Sequence, residues 1–127
     1  MSTAPARRTF PKGARLLKRG EFRRVYDEGQ RRSGSLAAVF FRPNGLPATR
    51  LGITVPARIG GAVIRNRVKR RLREAFRLNR AALAPGWDIV INPRDAAARV
   101  PFHSLEKELL RLLPTEPPPP APRGSPP

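Results

Sequence analysis

Cysteine is absent from the sequence, so disulfides, thiolate nucleophiles and cysteine-ligated zinc are all excluded. Histidine occurs once, at His103, with no second histidine at ligand spacing. Beside a helix start it reads as a surface or capping residue rather than a base or a metal ligand. Acidic residues are scarce: the nine carboxylates (Glu21, Asp27, Glu28, Glu74, Asp88, Asp95, Glu106, Glu108 and Glu116) are scattered among basic residues. They form no cluster suited to holding Mg²⁺ through protein oxygens. Long apolar runs are missing as well. Nothing approaches the ~18 residues of a membrane span, and residues 1–11 lack the apolar segment of a secretory signal, so the chain is expected to be cytoplasmic and to have no membrane partner. These absences leave a chain poorly equipped to do chemistry alone.

Positive charge, by contrast, is in excess: 127 residues, one domain's worth of chain, carry a net charge of +17. Clustered arginine at such a charge is the footprint of a nucleic-acid binder held largely, and salt-sensitively, by phosphate contacts. The densest stretch is Arg65 to Arg80, R-N-R-V-K-R-R-L-R-E-A-F-R-L-N-R, with eight basic side chains and one acid. On a helix, Ile64, Val68, Leu72, Ala75 and Phe76 share one apolar arc that packs on a core. Lys69, Arg70, Arg73, Arg77 and Arg80 cluster around Asn66 on the opposite arc, with Arg67 and Glu74 to one side and Arg65 and Arg71 flanking the apolar stripe. Lys69, Arg73 and Arg77 follow one another at intervals of four, repelling by a few tenths of a kcal/mol per pair, and no acid is expected to relieve them. A solvated helix face interleaves both signs. This one is mostly arginine, whose planar fork matches phosphate oxygens, so a polyanion is the natural partner.

Along the chain, residues 1–14 read as a flexible basic arm able to order on RNA. Phe22, Val25 and Tyr26, with Glu21 in the first turn and Gly29 after the last, predict a short helix over Arg19 to Glu28. Two aromatics on one face serve either as core or as stacking platforms for single strands, and periodicity does not separate these uses. Leu36 to Arg42 and Leu51 to Val55 have strand character on either side of a turn containing Pro43, Asn44, Gly45 and Pro47, which predicts two paired strands; Gln30 to Ser33 is a candidate edge strand. Pro56 and Gly60-Gly61 turn the chain into the basic helix, without the pattern of a phosphate-binding glycine loop. Trp87 to Asn92 reads as a buried strand, making a strand–helix–strand unit. Asp95 to Arg99 suits a short helical turn. Leu105, Leu109, Leu112 and Leu113 trace a final amphipathic helix ending at Pro114. Residues 114–127, in which eight of fourteen are proline, read as an extended, mobile tail.

In this order of elements, the run L-G-I-T-V-P-A-R-I-G-G-A-V-I-R-N-R-V-K-R-R-L-R-E-A-F-R resembles the protein subunit of bacterial ribonuclease P. E-F-R-R-V-Y upstream and P-G-W-D-I-V-I-N and L-E-K-E-L-L downstream support the likeness, which spans residues 15–113. The resemblance implies an α/β (α+β) two-layer sandwich with a central sheet of about four strands and a left-handed crossover through the basic helix, against the general right-handed rule. It also implies a division of labour. A catalytic RNA subunit, holding Mg²⁺ together with the substrate, removes the 5′ leader of precursor tRNA, while the protein aids substrate and metal binding and needs no protein partner.

The residues implicated in RNA contact are Arg65, Asn66, Arg67, Lys69, Arg70, Arg73 and Arg77, with Arg58 before the Gly turn. A cleft receiving the single-stranded leader is matched by Phe22, Tyr26 and Phe40, which favours the stacking use of these rings. Ala57-Arg58 stands where relatives often carry two basic residues, and Gly61 where asparagine is common; the Pro-rich tail has no counterpart. Two rival functions are an independent RNA-binding or ribosomal protein, which would not need this spacing of the R-N-R block, and a nuclease acting alone, which would need clustered carboxylates.

Overall fold

The computed structural model describes residues 15 and 18–118; the expected N-terminal arm and residues 119–127 of the tail lie outside the described residues. The elements, in chain order, are helix α1 (Arg19–Glu28), strands β1 (Gln30–Ser33), β2 (Ala37–Pro43) and β3 (Arg50–Ile53), helix α2 (Ala62–Leu78), strand β4 (Trp87–Pro93) and helix α3 (Phe102–Leu112). Short 3₁₀ turns occupy Ala57–Ile59, Arg80–Ala82 and Asp95–Ala98. The expected edge strand, the first helix and the turn after Asp95 are all present.

The sheet has the order β1-β2-β4-β3, with β4 antiparallel to β2 and parallel to β3. The strands on either side of the 44–49 turn are therefore not paired with each other, as the sequence suggested: β4 lies between them. Its residues are nearly all buried, and a strand covered on both faces leaves its backbone donors and acceptors no access to water. Two strand neighbours satisfy those groups, which a place at the sheet edge would not. The outer edge of β3 is met in turn by Arg15, bridged in parallel to Leu51.

Alternation along the strands separates two faces. Val39 and Phe41 of β2, Leu51 of β3, and Ile89 and Ile91 of β4 join Val68, Leu72 and Phe76 of α2 and Leu105, Leu109 and Leu112 of α3 in the main core. This is the expected sandwich of sheet and helices. On the other face α1 forms a partial layer, in which Val25 and Val90 are fully buried with Phe22, Tyr26 and Phe40 packed around them. Gly29 allows α1 to turn directly into β1, since a Cβ there would lie 2.5 Å from the Val25 carbonyl oxygen and 2.7 Å from that of Phe41.

The apolar stripe of α2 is buried from Val68 to Phe76, but Ile64 is 42% exposed and not a core residue. The first turn of α2 is exposed from Ala62 to Ile64, and Ile64 lies back against Gly60, where a Cβ would come within 2.9 Å of it. The helix ends at Leu78, before Arg80. Asn79 caps it, its side-chain amide donating to the Ala75 carbonyl at 2.8 Å and to Glu106 Oε2 at 2.8 Å.

The contacts of the fold continue past Leu113. Pro114 is buried, and the Trp87 indole N–H donates to the Glu116 carbonyl at 2.9 Å.

Candidate RNA interface

Helix α2 positions most of the candidate residues. With Val68, Leu72, Ala75 and Phe76 fixed in the core, helical geometry leaves Asn66, Arg67 and Arg70 exposed and Arg65, Lys69, Arg73 and Arg77 half-buried. Among the described residues, none of Arg65, Arg67, Lys69, Arg70 and Arg73 forms an ion pair with a carboxylate. Burial, and then the nearby charge of Arg15, lowers the pKa of Arg73 from its ordinary value, yet a guanidinium stays charged at neutral pH. The Arg65 Nε is buried without a hydrogen-bond partner. Arg77 differs from expectation. Its Nε and a terminal nitrogen donate to the two oxygens of Glu74 at 3.1 and 2.7 Å, so this end of the cationic row is relieved by an acid three residues away. That hydrogen bond raises the Arg77 pKa.

Other arginines of the charge excess are structural. Arg71 donates to the Ala97 carbonyl at 2.8 Å and to the Val100 carbonyl, fastening the turn after β4 to α2. Arg32 lies 4.7 Å over the Phe41 ring and donates to the Leu112 carbonyl at 3.3 Å, at the end of α3. Arg50 grips the buried Asp88 through two bonds of 2.9 and 2.8 Å and reaches Glu21 of α1 at 3.1 Å. The Asp88 hydrogen bond is the main cause of its raised pKa. This tie holds the N-terminal turn of α1 onto the sheet.

Beyond α1 the same sheet face stays open. A cleft of about 280 Å³ is lined by Arg31, Phe40, Thr54, Arg58, Asn92 and Arg94, with Ala38, Pro56 and Pro93. Tyr26 stands at its side: the ring meets Phe40 edge to face at 4.8 Å and 82°, and the hydroxyl donates to Asn92 Oδ1 at 2.8 Å. Phe40, Tyr26 and Phe22 are half-buried, so they pack on Val25 and Val90 and keep part of each ring accessible. Phe22 does not line the cleft itself. Arg58 is exposed at the cleft, apart from the α2 row, in a loose 3.7 Å pair with Asp95.

The structure thus separates the candidate residues into a helical row and a cleft. The cleft also holds Arg31 and Arg94, which the sequence pattern does not single out. The available signal was parity: Arg31 is the cross-strand partner of Phe40 and so shares its face, but the register that pairs them is set by the fold.

The family model described as Ribonuclease P matches residues 10–115 of the chain. The ribonuclease P protein component of Caldanaerobacter subterraneus subsp. tengcongensis is 40% identical over 99 residues, covering 78% of this chain and 85% of that one. The component from Thermotoga maritima is 38% identical over 109 residues, covering 83% and 93%. Among solved structures, the Thermotoga maritima RNase P protein aligns with a TM-score of 0.74 at 39% identity, over 78% of this chain and 94% of that one. The Staphylococcus aureus RNase P protein aligns with a TM-score of 0.73 at 28% identity, over 80% and 93%.

Proposed function

This chain belongs to the ribonuclease P protein family and is a protein component of ribonuclease P, an RNA-processing enzyme complex; from that premise we propose how its two basic surfaces divide the work. The α2 row, Arg65, Asn66, Arg67, Lys69, Arg70 and Arg73, with Arg77 at its end, lies against the phosphates of the catalytic RNA subunit. The cleft beside Phe40, with Tyr26 and Phe22 at its flank and Arg58 at its rim, takes the single-stranded 5′ leader of precursor tRNA.

The observation that carries this reading is the run of five cations on α2 without carboxylate partners among the described residues. Like charges held one turn apart repel, and a polyphosphate chain removes that cost while releasing its counterions. The protein thereby raises the affinity of the RNA for substrate. Mg²⁺ is assigned mainly to the RNA subunit and the substrate. Among the described residues no three Asp, Glu or His side chains converge, and Asp88 and Glu108 are committed to protein donors. This chain's own residues therefore do not fit a protein cage for the ion.

The test is cleavage of precursor tRNA with Mg²⁺ at moderate salt, with protein alone, cognate RNA subunit alone and the two together. Stimulation of the RNA by the protein is expected. Mature tRNA from protein alone would overturn the division of labour, and absence of stimulation would favour a stand-alone RNA-binding protein.

A further inference from the structure

Phe40 stands in the cleft with its ring flanked from helix α1 and from strand β1. From α1 the Tyr26 ring meets it at 4.8 Å, held in place by the hydrogen bond to Asn92 of β4. On the β1 side Arg31, its cross-strand partner, holds the guanidinium carbon 5.7 Å from the ring centroid. Arg31 is exposed on an edge strand whose residues are all exposed, and it pairs with no carboxylate among the described residues. A base entering the cleft therefore meets a guanidinium lying over the ring on that side, not a bare aromatic face.

We propose that Arg31 is a further leader-binding residue: its guanidinium, backed by Phe40, is the plane on which an unpaired leader base stacks. This rests on the leader-cleft reading above and refines which atoms the base touches. The chemistry fits. A guanidinium is planar, delocalised and weakly hydrated, so one face engages the Phe40 ring through a cation–π contact while the other accepts a nucleobase. Arg58 and Arg94, which line the same cleft, are left to meet the leader phosphates. A lysine at position 31 would keep the charge and lose the plane.

The experiment uses holoenzyme reconstituted from the full chain and the cognate RNA subunit. Affinities are measured for precursor tRNA, for precursor tRNA with abasic nucleotides in the leader, and for mature tRNA. Arg31→Ala and Arg31→Lys should both weaken binding of normal precursor by about 5-fold to 150-fold and leave mature tRNA unchanged. The abasic leader should bind the wild type weakly and Arg31→Ala no more weakly. Full rescue by Arg31→Lys, or an equal loss on normal and abasic leaders, would overturn the proposal, because the residue would then serve a phosphate. Tyr26→Ala separates the two levels of inference. If it loses the preference for precursor over mature tRNA while Arg31→Ala keeps it, the cleft stands and Arg31 does not. If neither variant loses the preference, both readings fall.

Discussion

Arg67 and Arg71 lie one helical turn apart on α2, yet their surroundings give them different work. Arg67 is exposed, whereas Arg71 has two carbonyl oxygens, of Ala97 and Val100, within its reach. Arg67→Ala and Arg70→Ala should leave the melting curve unchanged and weaken association with the RNA subunit. If each side chain meets one phosphate, the log–log slope of affinity against salt should shrink by about 0.7 to 0.9 per substitution; an unchanged slope would put them in plain solvent. Arg71→Ala should do the reverse. Losing hydrogen bonds from a charged donor costs about 1.5 to 3 kcal/mol, read as a shifted urea midpoint, with the salt slope intact. The R-N-R-V-K-R-R run does not reveal this division, because one basic letter looks like another until the neighbouring carbonyls are known.

At the scale of elements, the segment after Leu113 is tied to the sheet by a hydrogen bond from Trp87 to the Glu116 carbonyl. Trp87 is 5% exposed and packs edge to face on Phe41 at 5.2 Å, and residues 114–117 line a groove beside it together with Gln30 and Arg32. Truncation after Leu113 should uncover this indole and leave its N–H to water. Trp87 is the sole tryptophan of the chain, so its fluorescence reports directly: a red shift and stronger acrylamide quenching are expected, with the fold retained. An emission spectrum identical to the full chain's would show that the segment does not shield Trp87 in solution.

For the whole molecule, the small aromatic layer beneath α1 serves as core and as cleft wall at once. Truncating a fully buried Phe costs roughly 3 to 5 kcal/mol, but Phe40 is only half-buried, so Phe40→Ala should cost roughly 2 kcal/mol on that scale and leave a folded protein at moderate temperature. Removing the ring also removes the backing of Arg31. Holoenzyme affinity for leader-bearing tRNA should then fall about 5-fold to 150-fold, with mature tRNA bound as before. Affinities and melting curves have to be taken together. Equal losses for the two substrates in a variant that melts normally would rule out a leader cleft at this position.

Local pattern in the sequence was enough for the elements whose stability is local. Glu21, the Phe22-Val25-Tyr26 spacing and Gly29 bound α1 to the residues observed. The Val68-Leu72-Ala75-Phe76 stripe orients α2 and, with it, the cationic row. A helix closes its hydrogen bonds within four residues, so its phase is written in the letters that compose it. The resemblance carried by the spacing of the R-N-R block did the same for the family. Strand partners are different, because a strand satisfies its backbone only against another strand, and which one is settled by burial of the whole sheet. The insertion of β4 between β2 and β3, the register that sets Arg31 beside Phe40, and the exposure of Ile64 all depend on residues tens of positions apart. Only the tertiary structure decides them, since the free energy that selects a pairing comes from covering both faces of the sheet together, and no window of sequence contains both faces.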